Sequence, residues 1–319
     1  MLKMYHQRLH KGDSPALWEE TWEQTSFEEA LRFCEHDPLR PLFERYTRPG
    51  TVMLEGGCGQ GQYVAHYQAR DVRVVGLDFA QSTLAILRSR YADLMLCTGD
   101  VAALPFRDGA FDLYYSGGVV EHFETGAGPA LREAKRVLRP GGVLLISVPY
   151  VSLMRRALSP FKSSLWKRVS RPGVDAGNVR EGQQFFQYVY TRGEFERELA
   201  AAGLRVIGTQ GYGILWGLYD ISLLQTLTEK LAHRSLTSPG EGGSVARKCV
   251  QPALPVADSS GDKHAYAASS ASSRSTLKRL LSDEDDKVPV LGLGVRFMRR
   301  VCANMMMYVC QRSEDAAKD

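Results

Sequence analysis

The stretch Val52-Met53-Leu54-Glu55-Gly56-Gly57-Cys58-Gly59-Gln60-Gly61 is the part of this 319-residue chain best suited to chemistry. An apolar run ends in a carboxylate and passes into glycines at alternate positions, Gly57, Gly59 and Gly61, with a helical stretch at 63–69 behind them. A strand that ends in a glycine turn feeding a helix lets the backbone approach a ligand closely. The acid discriminates between ligands: it repels a pyrophosphate and suits a cationic amino-acid group. A dinucleotide loop of the Gly-x-Gly-x-x-Gly type needs a third glycine at 62, where the chain has Gln62. A tight structural turn is the plain alternative. Asp78 ends the next β-branched run, 17 residues after Gly61. A carboxylate there can accept both ribose hydroxyls of a nucleoside lying over the turn, and Phe79 beside it could pack on the base. In Thr98-Gly99-Asp100-Val101, Asp100 can accept from an adenine amino group while the Val101 backbone reads a ring nitrogen. A solvated Asp78 and a capping Asp100 stay open as alternatives.

These residues need a scaffold that brings strand ends together. From residue 51 the chain alternates strand-like runs at 51–55, 72–78, 94–98, 111–115 and 143–148 with helical periodicity at 80–91 and 129–139. The run at 143–148 is almost wholly apolar, as a central parallel strand should be. Pro140-Gly141-Gly142 is expected to stop the helix before it. The rhythm implies a Rossmann-like, doubly wound, mostly parallel sheet with helices on both faces. Glu55, Asp78 and Asp100 then end three successive strands on the edge where such sheets bind ligands.

Around this core, residues 1–50 read as an N-terminal helical cap, with Trp18, Trp22, Phe27, Leu31 and Phe33 at roughly helical spacing. Residues 51–150 are the nucleoside-binding core, 151–190 an insertion serving as a lid over the acceptor site, and 191–234 the rest of the core. The last of these holds a helix at 191–202, a strand at 204–208 and a helix-like apolar stretch at 214–231. Residues 235–289 read as a flexible insertion: 235–276 lose periodicity and are dense in Ser, Ala, Gly and Pro, and the acidic run Asp283-Glu284-Asp285-Asp286 extends them. Residues 290–319 complete the sheet with a strand at 304–312.

The net charge of +4 gives no global nucleic-acid signal, and 44% hydrophobic residues suffice for a sizeable core. Cys34, Cys58, Cys97, Cys249, Cys302 and Cys310 form no C-x-x-C pair, which argues against a metal site. Their apolar surroundings suggest free thiols in a reducing, cytoplasmic compartment. No signal-peptide core or membrane-spanning run is evident.

The run Glu55-x-Gly57-x-Gly59-x-Gly61 resembles the first motif of class I S-adenosylmethionine-dependent methyltransferases. With Asp100-Val101-Ala102-Ala103-Leu104-Pro105-Phe106, Glu121-His122-Phe123 and Arg136-Val137-Leu138-Arg139-Pro140-Gly141-Gly142, residues 50–150 are similar to the small-molecule, type 11-like branch. The resemblance implies a seven-stranded sheet whose last strand is antiparallel, and S-adenosylmethionine as cofactor. It implies that Glu55 takes the methionine amino end through its loop. Gly57, Gly59 and Gly61 would line the methionine, Asp78 hold the ribose, Asp100 and Val101 the adenine, and Ser116 offer backbone contacts. The activated sulfonium methyl needs mainly alignment and water exclusion, so a general base helps only where the acceptor must lose a proton. His122, after the fourth strand, is the candidate base, with loop ordering as its alternative role. Tyr150 could orient an acceptor.

The expected function is methyl transfer to a small-molecule or lipid-like acceptor, with nucleic acid not expected, because Ser116-Gly117-Gly118-Val119 is not an N-P-P-Y-type acceptor loop. The alternative is a non-catalytic cofactor-binding module serving as a protein-interaction subunit. Residues 151–174 hold Arg155, Arg156, Lys162, Lys167, Arg168 and Arg171 interleaved with Leu153, Met154, Leu158, Phe161, Leu165 and Trp166. That mixture suits an anionic acceptor with an apolar body, or peripheral contact with an anionic membrane; a solvated helix is the plainer reading.

Overall fold

Short apolar runs separated by amphipathic helices build the core of the computed structural model, which describes residues 1–7, 26–35, 37–158, 174–176, 183–214, 217 and 289–312. In chain order the strands are β1 (Leu2–Gln7), β2 (Val52–Gly56), β3 (Arg73–Asp78), β4 (Met95–Thr98), β5 (Phe111–Gly117), β6 (Leu138–Pro149), β7 (Val174–Ala176), β8 (Gln183–Val189), β9 (Leu204–Tyr212) and β10 (Met305–Arg312). The helices are α1 (Phe27–Glu35), α2 (Arg40–Phe43), α3 (Gln62–Gln68), α4 (Gln81–Arg90), α5 (Gly128–Val137), α6 (Leu153–Leu158), α7 (Arg192–Ala201) and α8 (Pro289–Cys302).

Seven strands form one sheet in the order β4-β3-β2-β5-β6-β10-β9. Strands β2 to β6 pair in parallel, and β10 runs antiparallel to both β6 and β9. This is the mostly parallel, doubly wound sheet expected from the alternation of elements, with its last strand reversed. From β2 the chain moves outward to β3 and β4, then returns to the other side of β2 as β5. The order therefore switches between β2 and β5, the position at whose carboxyl strand ends sheets of this kind bind ligands. The glycine loop leaves β2 at that point.

Alternation along the strands sends residues to two cores. On one face Leu54, Tyr114, Leu144, Ile146 and Tyr308 meet Leu131 and Ala134 of α5 and Phe195 and Leu199 of α7. On the other, Met53, Leu113, Leu145 and Val309 meet Phe43 of α2, Tyr63 and Tyr67 of α3, and Leu84 and Leu87 of α4. The helix expected at 129–139 ends at Val137, and Leu138 already pairs with Phe111 as the start of β6. Pro140-Gly141-Gly142 thus lies within the beginning of the strand, where Pro140 and Gly141 are exposed and Gly141 takes the left-handed φ of 76°.

The N-terminal segment departs from a purely helical cap. It contains α1 and α2, but β1 is the middle strand of a separate antiparallel sheet, β7-β1-β8. Its partners lie in the segment expected to form a lid, far along the chain, so no local pattern announced the pairing. Lys3 reinforces it from β1, its Nζ lying 5.9 Å and 5.6 Å from the ring centroids of Phe185 and Tyr188. Backbone bonds from Tyr190 N–H to the Pro149 carbonyl (3.0 Å) and from Val151 N–H to the Tyr190 carbonyl (2.8 Å) join this small sheet to the end of β6. Trp18, Trp22 and the insertion at 235–288 lie outside the described residues, as does most of the helix expected at 214–231.

Five cysteines, Cys34, Cys58, Cys97, Cys302 and Cys310, are free thiols, all but Cys97 buried. Among the described residues no group of three or more His, Cys, Asp or Glu is placed to hold a metal ion. No described helix is long and apolar enough to cross a membrane.

Candidate active site at the sheet's switch point

Gly57, Gly59 and Gly61 have φ of 76°, 49° and 67°. Each occupies the left-handed region that an L side chain enters only at a cost of about 1–2 kcal/mol. The alternate spacing therefore reflects alternate backbone reversals, which fold the loop tightly over the end of β2. Packing adds a second reason at Gly57, where a Cβ would collide with Val119 Cγ2, and gives the reason at Gly56, where a Cβ would collide with the Tyr114 phenol. The loop is tied to its neighbouring strand, because the N–H groups of Gly57 and Cys58 both donate to the Leu77 carbonyl, at 2.7 and 3.0 Å.

Asp78, 5% exposed, continues that tie. Its Oδ2 accepts the Gly59 N–H at 2.8 Å and its Oδ1 the Ala80 N–H at 2.9 Å. Each carboxylate oxygen keeps a second lone-pair direction, so the acid can brace the loop and still accept from a ligand. Phe79 beside it is 45% exposed.

Asp100 is exposed, and its Oδ1 accepts the Ala102 N–H at 2.8 Å. It thus caps the turn after β4, the plainer of the two roles read from sequence, and the Val101 side chain is buried beneath it at 6% exposure. The Arg136 motif holds this loop from a distance. The guanidinium donates to the carbonyls of Phe106 (2.6 Å) and Leu104 (2.9 Å) and to both Glu133 oxygens (2.7 Å), while Glu133 Oε2 accepts the Leu104 N–H at 2.7 Å. Its hydrogen bonds to the Glu133 and Asp108 carboxylates hold the Arg136 charge even more firmly than usual. Ser116 is 2% exposed, its Oγ donating to the Gly56 carbonyl at 3.0 Å, so it fastens β5 to the start of the loop.

Glu55 lies beneath the loop at 3% exposure. Burial pushes its carboxyl well above the usual carboxylate range, a hydrogen bond from the Val64 backbone opposes this, and the neighbouring Asp78 charge adds to it. Its Oε2 is buried without a hydrogen-bond partner. An orphaned buried carboxylate oxygen under a three-glycine cradle matches the needs of a cationic amino-acid group, whose field would favour the ionised acid.

His122 sits in a short 3-10 turn, Val120–His122, after β5. Its Nδ1 lies 2.7 Å from the carbonyl of Phe186 in β8, and the two rings pack edge-on with centroids 5.0 Å apart. A carbonyl only accepts, so Nδ1 carries the hydrogen and Nε2 is the basic nitrogen of the neutral ring. The sequence assigned Glu121 beside it no more than a share in ordering the loop. That residue is 2% exposed, and burial raises its carboxyl to about 8. Its Oε2 and the Tyr190 Oη are both buried without a hydrogen-bond partner. Adjacency to His122 was the only sign in the sequence; nothing there reveals burial.

A mostly parallel sheet with this strand order, a glycine loop at the switch point and acids at the strand ends define a Rossmann-like domain. Residues 54–146 match the family described as "Methyltransferase domain". The chain is 43% identical over 102 residues to a probable S-adenosylmethionine-dependent methyltransferase of Mycolicibacterium smegmatis, covering 31% of this chain and 38% of that protein. It is 39% identical over 147 residues to probable tRNA methyltransferase 9B of Homo sapiens, covering 44% and 32%. It is 31% identical over 173 residues to a malonyl-(acyl-carrier protein) O-methyltransferase of Erwinia pyrifoliae, covering 50% and 64%. Each match thus spans less than two thirds of the relative's own length. Residues 54–146 thus form a methyltransferase domain of the class I S-adenosylmethionine-dependent kind, for which S-adenosylmethionine is the cofactor.

Proposed function

We propose that the protein is an enzyme that transfers the methyl group of S-adenosylmethionine to a small-molecule or lipid-like acceptor. The observation that carries this reading is the glycine cradle at the switch point, braced by Asp78, with Glu55 Oε2 orphaned beneath it. In this reading Asp78 accepts the ribose hydroxyls on the lone pairs its backbone bonds leave, and Phe79 covers the adenine. Asp100 and the Val101 backbone hold the adenine edge. Gly57, Gly59 and Gly61 let the backbone close on the methionine part, Ser116 fixes the β5 side of the cradle, and Glu55 offsets the amino charge. The bound cofactor supplies an activated methyl group for in-line displacement.

The chain's own work is alignment, water exclusion and, where the acceptor needs it, proton removal. His122 Nε2 takes that proton, its ring held by the Phe186 carbonyl. Tyr150, at the end of β6, orients the acceptor. The 151–190 segment acts as a lid together with residues 1–50, because β1 and β8 are paired. Residues 191–234 and 290–319 complete the core, 235–289 is an accessory insertion, and free buried thiols suit a cytoplasmic setting.

Calorimetry with S-adenosylmethionine and its demethylated product tests the cofactor; absence of heat at millimolar ligand sinks it. Labelled cofactor offered with lipid, small-metabolite and total-tRNA fractions in separate reactions tests the acceptor. Label entering lipid or metabolites supports the reading. Label entering tRNA moves the acceptor to the class named for the human relative. Tight cofactor binding with no label in any fraction favours the non-catalytic interaction module.

A further inference from the structure

The described surface carries one apolar face with a charge of one sign. On α8, Leu293 and Phe297 are each 65% exposed. Arg296 and Arg300 are exposed too, and successive steps of 100° put all four on one side of the helix. The opposite side is the packed one: Val295 and Cys302, at 0% and 3% exposure, join Ile214 in a small core backed by Met154 and Met298. Helix α6 lies alongside, with Cys302 Sγ 3.8 Å from Met154 Sδ, and presents Leu153, 51% exposed, and the exposed Arg156. Arg155 of α6 donates to the Tyr150 carbonyl at 2.8 Å and to Asn304 Oδ1, between α8 and β10. Neither helix contains an acidic residue.

This platform stands at the catalytic edge of the sheet. Helix α6 leaves the carboxyl end of β6, and α8 runs into β10, whose first residue, Met305, pairs with Pro149 at that end. The Met305 Cε lies 4.0 Å from where a Cβ on Gly118 would be, in the loop that leads to His122.

We propose that the outward faces of α6 and α8 dock on an anionic membrane surface and so present the site to a lipid-borne acceptor. The proposal rests on the methyl-transfer reading for its acceptor half only. Arginines flanking exposed Leu and Phe on an amphipathic helix match what an anionic bilayer offers, headgroup charge above and acyl chain below. RNA would engage the arginines but has no apolar layer for the aliphatic Leu153 and Leu293.

Flotation of the full chain with vesicles decides it, using phosphatidylcholine alone and phosphatidylcholine with about one-third phosphatidylserine. The protein should float with the anionic vesicles, weakly or not at all with the neutral ones, and less as salt rises. R296Q/R300Q should weaken anionic binding about thirty-fold, and L293S/F297S should also release the protein. Both variants should keep the wild-type cofactor affinity and circular dichroism, since all four side chains are exposed. The proposal is overturned if the wild type stays with neither vesicle, if either double variant floats like the wild type, or if total tRNA displaces the protein from vesicles through these same arginines. Failure of the wild type to bind cofactor would sink the methyl-transfer reading and leave the flotation result standing by itself.

Discussion

Replacing Asp78 should damage both the fold and the cofactor site, and the two effects separate by choice of substitution. The carboxylate accepts backbone N–H groups from Gly59 and Ala80 at 2.8 and 2.9 Å and is 5% exposed. Hydrogen bonds to a charged group contribute about 1.5–3 kcal/mol each. Asp78→Ala removes both acceptors and strands two buried donors, so it should cost about 3–6 kcal/mol of stability without any ligand present. Asp78→Asn keeps one acceptor and turns the other oxygen into a donor facing a backbone N–H, at about half that cost. It also loses the negative charge, and one ribose hydroxyl loses its acceptor. S-adenosylmethionine affinity of Asp78→Asn should therefore fall by about ten- to a hundred-fold. Urea unfolding without ligand gives the first quantity, and calorimetry at a temperature where the variant is folded gives the second. If Asp78→Asn binds the cofactor within twofold of wild type, the acid only braces the loop and the ribose is held elsewhere. If Asp78→Ala unfolds at the wild-type urea concentration, the two backbone bonds contribute nothing and the bracing argument fails.

Gly57→Ala forces a side chain into φ 76° and against Val119. It should destabilise by about 2–5 kcal/mol, and adding Val119→Ala should restore the overpacking part only; full recovery would refute the left-handed requirement. Glu121 binds a proton in the folded state up to about pH 8, against a usual value of 4.5. Between those values the folded state holds more protons than the unfolded one, so Glu121 makes stability fall as pH rises. The drop is on the order of 4 kcal/mol, and Glu121→Gln should lack it in urea titrations from pH 5 to pH 8. Parallel wild-type and variant profiles would contradict the burial argument. His122→Ala should lower methyl transfer to a proton-bearing acceptor by about a hundred-fold or more while cofactor affinity stays within twofold; an equal loss in both would make it a loop-ordering residue.

Much of the core was legible because its signals are local. The apolar run that became β6, the β-branched run of β3 and the helical spacing of Leu131 and Ala134 each depend on neighbours a few residues away. The alternate glycines were readable for the same reason: positive φ is a property of one residue, and all three positions show it. The ends of β2, β3 and β4 followed, and with them the acids at one edge of the sheet.

Tertiary structure alone decided which backbone groups those acids hold. Asp78 braces Gly59 across 19 residues, and Asp100 turns out to cap its own turn. Pairing of β1 with β8 and the hold of the Phe186 carbonyl on His122, 64 residues away, left no periodic trace. Glu121 looked like any loop acid until packing removed its water and raised its carboxyl. Backbone conformation and face periodicity are written residue by residue, whereas burial and long-range hydrogen bonding exist only once distant segments meet. Protonation state, tautomer and site geometry depend on that second kind of information.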